Sequence, residues 1–308
     1  MMGVVGASGF IGRSVSDHLA ATGTPYVALM QQPDGLPADA FRGAGRVTTF
    51  SIGGAMDMDA FDGITTLVLA GWATKPGSEH GGLPGEIALN VQPYTELLTD
   101  LRQTDVQHLI FLSSGGAVYG HVDQSERIAE DHLCHPNTPY GYGKLCVEKA
   151  IQGFWTGDGR RYTIIRPSDP VGLHQIQSVG VHGLFPSVLD AILNHRPVRI
   201  YGDGTTVRDY FAVEDLARLV RAADQIDVGN TIVNASSGSG LSINQVVDIC
   251  AQATGLTPER SMLTDRQPPI AYNVLDNTRA QTVFDWHPTR RVQEVAGDLA
   301  QAIKQRLG

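Results

Sequence analysis

Tyr140 and Lys144 stand four residues apart in Pro139-Tyr140-Gly141-Tyr142-Gly143-Lys144. On a helix that spacing puts both side chains on one face, one turn apart. A phenol is a poor base at neutral pH, but a lysine ammonium beside it favours the phenolate and lowers its pKa. Such a pair can move a proton on or off a sugar or alcohol hydroxyl. Upstream lies the apolar run Leu109-Ile110-Phe111-Leu112, followed by Ser113-Ser114-Gly115-Gly116-Ala117-Val118-Tyr119-Gly120. The run reads as a buried strand and the Ser/Gly segment as the loop that leaves its end. Downstream, Glu148 falls on the Tyr/Lys helix.

A second cluster of chemical interest opens the chain. Met1 to Val5 reads as a short strand, and Gly6-Ala7-Ser8-Gly9-Phe10-Ile11-Gly12 leads from it into an amphipathic helix over about 10–21. Gly6, Gly9 and Gly12 let backbone approach a dinucleotide pyrophosphate, Phe10 and Ile11 fill the turn, and the helix N-terminus supplies N–H donors. At the adenosine end the usual acid is missing. The second strand, Tyr26 to Met30, ends in Met30-Gln31-Gln32, and the third, Val47 to Ile52, ends in Ser51-Ile52. Met30 thus removes the usual reason to exclude NADP in favour of NAD.

The elements that must position these groups alternate strand with helix. Thr66 to Ala70 is a fourth strand followed by Gly71, and a helix over about 86–102 contains Pro93, which should kink or restart it. Asn90 on that helix either supports the strand-end loops or is an ordinary polar residue. Tyr162 to Arg166 is a sixth strand. This alternation implies an α/β, Rossmann-type, doubly wound parallel sheet, with ligands beyond the carboxyl ends of the strands. The Gly6–Gly12 turn, Ala70-Gly71, Ser113-Ser114 and Pro167 all fall on that edge and are candidate cofactor contacts. Residues 1–166 form the dinucleotide-binding domain, rejoined by about 205–236. Residues 167–204 and 237–308 form a smaller C-terminal α/β lobe for substrate.

Composition narrows the class. The chain has 308 residues and 42% hydrophobic content, enough for one large core or two lobes. A net charge of −9 argues against nucleic acid or an anionic membrane as a general partner. Three scattered cysteines, Cys134, Cys146 and Cys250, read as reduced thiols of a cytoplasmic protein. His132-x-Cys134-His135 lacks a second ligand pair at metal-binding spacing, so no metal is expected. There is no apolar run long enough to span a bilayer and no signal peptide pattern.

Further segments complete a pattern: Arg166-Pro167-x-x-Pro170-x-Gly172, Gly202-Asp203-Gly204-x-x-x-Arg208-Asp209-Tyr210-x-x-Val213-x-Asp215, and Asp276-x-x-x-Ala280 before Trp286-x-Pro288. With the glycine turn, the Ser113–Gly120 loop and Tyr140-x3-Lys144, the chain resembles the extended short-chain dehydrogenase/reductases, within them the NAD-dependent epimerase/dehydratase family, and most of all members like UDP-glucose 4-epimerase. The resemblance implies NAD as cofactor, Tyr140 as catalytic base and Lys144 on both the nicotinamide ribose and the phenol. It implies a nucleotide sugar as substrate, UDP-linked, and a homodimer built from the 86–102 and 140–155 helices. Arg208 and Arg266 would clasp the diphosphate, for which arginine's planar fork is suited.

The chain departs from the family at two places. The usual Ser/Thr helper position is Gly115, with Ser114 beside it as substitute. Asp169 stands where 4-epimerases carry asparagine, so it either turns away from the phosphates or binds a sugar hydroxyl. Asn273 aligns near the position that governs admission of N-acetyl groups. The loop positions that carry acids in dehydratases and decarboxylases are Gly116 and Ala117, which cannot transfer protons. The expectation is a nucleotide-sugar 4-epimerase acting by transient oxidation at C4. A ketoreductase or dehydratase is the alternative, followed by a non-catalytic nucleotide-binding member.

Overall fold

The computed structural model describes residues 1–31, 40–54, 57–76, 81–122, 126–157, 159–177, 180–263 and 270–307. In chain order the first half runs β1 (Met2–Val5), α1 (Phe10–Ala21), β2 (Tyr26–Met30), β3 (Ala44–Thr49), β4 (Thr66–Leu69), α2 (Gly82–Glu86), α3 (Gln92–Asp100), β5 (His108–Leu112), α4 (Gly115–Val118), α5 (Pro139–Ala150) and β6 (Arg161–Pro167). The second half runs β7 (Asp169–Val171), β8 (Ile176–Gln177), β9 (Gly180–Val181), α6 (Leu184–Leu193), β10 (Val198–Tyr201), β11 (Val207–Arg208), β12 (Tyr210–Ala212) and α7 (Val213–Gln225). It ends with β13 (Thr231–Ala235), β14 (Leu241–Ser242), α8 (Ile243–Thr254), β15 (Arg260–Leu263), β16 (Tyr272–Asn273), α9 (Thr278–Phe284) and α10 (Val292–Leu307).

Seven strands form one parallel sheet in the order β13-β6-β5-β4-β1-β2-β3. The order reverses at β1, which places the glycine turn at the switch point where such sheets bind ligands. Strands β1, β2, β4 and β5 are buried at every position because helices cover both faces, so their sequences are mostly apolar without alternation, Thr66 and His108 at the strand starts excepted. Alternate residues serve opposite layers. Val4, Ala28, Val68 and Ile110 pack toward α1 and α7, whereas Val5, Leu29, Leu69 and Phe111 pack toward α3 and α5. The edge strand β3 begins earlier than expected, at Ala44, and alternates between half-buried and exposed.

The helix with Pro93 is continuous but irregular. A π-helical turn over Ile87–Val91 separates α2 from α3, and Pro93 follows it directly in the first turn of α3, at an interruption of the kind that accommodates proline inside a helix. A second π turn, Ile151–Trp155, extends α5. After β6 the chain leaves the sheet, builds a separate core from α6, α8, α10 and β10, and returns through α7 against α1 and β13 beside β6. The tail is tied back by Asp215 in the first turn of α7. Its carbonyl accepts from Trp286 Nε1 at 2.7 Å, and its carboxylate accepts from the amides of Thr289 and Arg290.

Candidate active site

The glycine turn is built by close backbone approach. Gly6 has φ +78°, and a Cβ there would lie 2.5 Å from the Gly71 backbone. A Cβ on Gly12 would lie 2.1 Å from the Gly6 carbonyl oxygen. These positions accept only glycine, and the result is a side-chain-free cradle between β1, β4 and the start of α1. Gly9 caps that helix without a side chain, so Phe10 and Ile11 carry first-turn N–H groups toward the cradle. A dinucleotide pyrophosphate fits this donor set. At the adenosine end Met30 is buried, and beyond it Gln31 donates to Ser51 Oγ at 3.0 Å, which ties together the ends of the second and third strands.

Thr138 starts α5 by accepting from the Gly141 amide at 3.1 Å, with Pro139 in the first turn, and this fixes Tyr140 one turn before Lys144. Lys144 Nζ lies 3.8 Å above the Trp72 ring and 5.8 Å from the centre of the Tyr140 ring, and it donates to the Leu112 carbonyl at 2.8 Å. Burial pushes its pKa down to about 7, opposed by Glu86 and Glu148. The phenol does not follow the sequence expectation of a lowered pKa. Burial raises it, the charges of Glu86 and Asp169 add to the rise, and the group that lowers it is Ser114, by a side-chain hydrogen bond. The reason is geometric: the ammonium is directed at a carbonyl and an indole face rather than at the phenol oxygen.

Ser114 is the loop hydroxyl at Tyr140, and the structure supplies a reason for glycine at 115. A Cβ on Gly115 would lie 2.4 Å from Leu275 Cδ1 and 3.1 Å from the Arg166 carbonyl. Gly116 is different, with its nearest neighbours at 3.9–4.0 Å, among them Ser114 Oγ and Asp169 Oδ2. Ser113 turns inward and donates to Glu148 Oε1. The same carboxylate receives Arg166 Nε at 3.0 Å and Nη2 at 2.6 Å, both residues being at most 2% exposed. Arg166 also donates to Tyr119, which donates to Asn234 at 2.7 Å. This network clamps β5, α5, β6 and β13 directly beneath the Ser113–Gly120 loop. Pro167 continues from it, with its carbonyl 3.3 Å from a Cβ at Gly115.

Glu86 is a group that sequence reasoning missed. Its carboxylate is 3% exposed and accepts from Trp72 Nε1 at 2.9 Å, Thr74 at 2.7 Å and Asn90 at 3.0 Å. Gly143 makes room for it, since a Cβ there would lie 2.6 Å from Glu86 Oε1. The visible signals were the Glu86/Asn90 spacing of four and the glycine one residue before Lys144. Asn90, in the π turn, also accepts from the Ala73 amide at 2.8 Å, so of its two readings the structure favours loop support.

On the substrate side, β11 lies beside β16 with Arg208 opposite Asn273. Arg208 donates to the carbonyls of Val207 and Ile270 at 2.9 and 2.7 Å. The acids that might have paired with it are engaged elsewhere: Asp209 accepts from Ser237, Gly238 and Leu275, and Asp203 from Thr205. Asn273 is fully buried and donates to the Gly115 carbonyl at 3.1 Å, so it supports the loop from behind. Asp169 Oδ2 lies 4.0 Å from where a Cβ on Gly116 would stand. Arg266 lies outside the described residues. Among the described residues, no cluster of His, Cys, Asp or Glu side chains is arranged to hold a metal, and no helix is long and apolar enough to cross a membrane.

Comparison with known proteins agrees with this arrangement. The chain is 29% identical over 294 residues to UDP-glucose 4-epimerase of Mycolicibacterium smegmatis, covering 92% of each chain. Its structure matches that of UDP-glucose 4-epimerase from Thermotoga maritima, solved with UDP-glucose, with a TM-score of 0.87 at 25% identity over 100% of this chain and 99% of the other. It matches MoeE5, solved with UDP-glucose and NAD, with a TM-score of 0.86 at 27% identity over 100% and 99% of the two chains, and MoeE5 has also been solved with UDP-glucuronic acid and NAD. The model of the NAD dependent epimerase/dehydratase family matches residues 2–235, the span that carries the glycine turn, the Ser113–Gly120 loop, Tyr140 and Arg208. With that match over most of its length, the chain belongs to the NAD dependent epimerase/dehydratase family.

Proposed function

We propose that this protein interconverts UDP-linked sugars epimeric at C4. The observation that carries the reading is the Tyr140 phenol, one turn before Lys144 on α5, with Ser114 lowering its pKa and its ring edge-on to Trp72 at 6.3 Å. The cradle, Ala70-Gly71 and Lys144 would hold NAD, which when bound supplies a reversible two-electron acceptor. Tyr140 takes the C4 hydroxyl proton as that carbon is oxidised and returns it when the carbon is reduced on its other face. The C4 oxygen stays on the sugar throughout, and the proton taken from it is the proton returned, so one acid/base group suffices. Ser114 orients the phenol and steadies its basic form by donating to it. The charge of Arg208, held by two carbonyls and paired with no acid among the described residues, suits the diphosphate.

Incubation with UDP-glucose, UDP-galactose and their N-acetyl forms, with products resolved by NMR and bound cofactor identified by mass spectrometry, tests this. C4 epimers and copurified NAD are the expected result. Net reduction that consumes NADPH, or loss of water from the sugar, would overturn the reading.

We infer further that two copies pair through α3 and α5. Leu98, Ala150 and Phe154 line an apolar groove there, with Thr95, Thr99 and Arg102 at its edge, and Phe154 is 73% exposed. Such a strip at the junction of two helices suits a self-complementary four-helix contact. Light scattering should give twice the chain mass for the wild type and the chain mass for Phe154→Glu; a monomeric wild type would refute the pairing.

A further inference from the structure

Asp169 opens β7, whose backbone pairs with β12, and its amide donates to the Asp209 carbonyl at 2.9 Å. Its carboxylate faces the catalytic loop, since a Cβ at Gly116 would lie 4.0 Å from Oδ2. That oxygen is buried and has no hydrogen-bond partner among the described residues. The charged and titratable groups in its field are Arg208 from β11, Tyr140 from α5 and Tyr210 from β12. Arg208 attracts it without bonding it, because the guanidinium is directed at the Val207 and Ile270 carbonyls. An enclosed acceptor without a donor is costly, and here it stands beside the two side chains that would touch the sugar. Gly116, by having no side chain, keeps the space in front of it open.

We propose that Asp169 sets the sugar specificity of this site: its free oxygen accepts a hydrogen bond from a sugar hydroxyl or ammonium, and its charge excludes sugars that carry a carboxylate. The inference rests on the reading of the cleft as a nucleotide-sugar site. A hydroxyl bonded to an enclosed carboxylate forms a charge-assisted hydrogen bond. A second carboxylate in the same enclosure meets poorly screened repulsion and must lose its charge or stay out. Burial raises the Asp169 carboxyl to about 6, with Arg208 opposing the rise, so the group is charged at neutral pH and neutral in mild acid.

The test is equilibrium binding of UDP-glucose, UDP-glucuronic acid and UDP to the full chain, as wild type and as Asp169→Asn. Measurements at pH ~8 and pH ~5 bracket the carboxyl. At the higher pH the wild type should bind UDP-glucose roughly tenfold or more tightly than UDP-glucuronic acid. Both Asp169→Asn and the lower pH should move that ratio toward one. The ratio of the two sugar nucleotides cancels any change at their shared diphosphate, and UDP reports at each pH whether the nucleotide site is intact. A ratio that is the same in wild type and Asp169→Asn, or in the wild type at both pH values, would overturn the proposal. Turnover of the bound sugars is scored separately. The expected ratios without interconversion would sink the epimerase reading and leave the specificity role standing; C4 turnover with an unmoved ratio would do the reverse.

Discussion

Tyr140→Phe should lower turnover of any accepted nucleotide sugar by roughly 10²–10⁴-fold, the usual contribution of a positioned acid/base group. The substitution removes one oxygen and keeps the ring, which meets Trp72 edge-on at 6.3 Å between centroids. Fold stability should therefore change by no more than about 0.5 kcal/mol. Binding of UDP should persist, because Arg208 lies on a different element. The pH profile adds a readout that misfolding would not mimic. Burial and the charges of Glu86 and Asp169 raise the phenol, so its basic form gains population as pH rises, and wild-type kcat/KM should climb on the acid side. The residual activity of Tyr140→Phe should lack that climb. Unchanged kcat with an unchanged pH profile would remove Tyr140 from the mechanism.

Glu148→Gln should destabilise the protein by roughly 3–5 kcal/mol, the cost of leaving a buried charge without its partner. Arg166 places two nitrogens on Glu148, at 3.0 and 2.6 Å, and neither residue has appreciable contact with water. Glutamine offers one acceptor and one amine where the guanidinium needs two acceptors. Because Ser113 also depends on Glu148 and Tyr119 on Arg166, the catalytic loop should loosen and turnover should fall along with stability. The double variant Glu148→Met with Arg166→Met should lose less than the sum of the single losses, since no unpaired charge remains. Denaturant midpoints of the wild type, Glu148→Met, Arg166→Met and the double variant measure this; additive losses would mean that the ion pair is not what holds the loop.

The sequence determined the features whose physical cause is local. Apolar runs in β1, β2, β4 and β5 follow from burial on both faces of a parallel sheet, which leaves no polar side to alternate with. Gly6 and Gly12 follow from backbone contacts too close for any Cβ, and the four-residue spacing of Tyr140 and Lys144 follows from the pitch of one helix. Even Pro93 marked its restart correctly, though the π turn before it left no trace in residue types. The bounds of β3 differ from the expected Val47 to Ile52 because an edge strand is only half buried and its pattern is weak.

What only the tertiary structure decided is the electrostatic setting of those residues. Tyr119 meets Asn234 across 115 positions of sequence, and Asn273 meets Gly115 across 158. The Leu275 side chain closes position 115 to a hydroxyl, which leaves that role to Ser114. Lys144 finds a carbonyl and an indole where adjacency alone suggested the phenol. A loop whose own residues hold no acid receives one from Asp169 on another strand, and Glu86 stands opposite in a space left by Gly143. Helix pitch and strand burial act between neighbours in the chain and can be read from it. A pKa or a specificity depends on which charges end up within a few ångströms, and that is fixed by how β7, α2 and β16 pack around the loop.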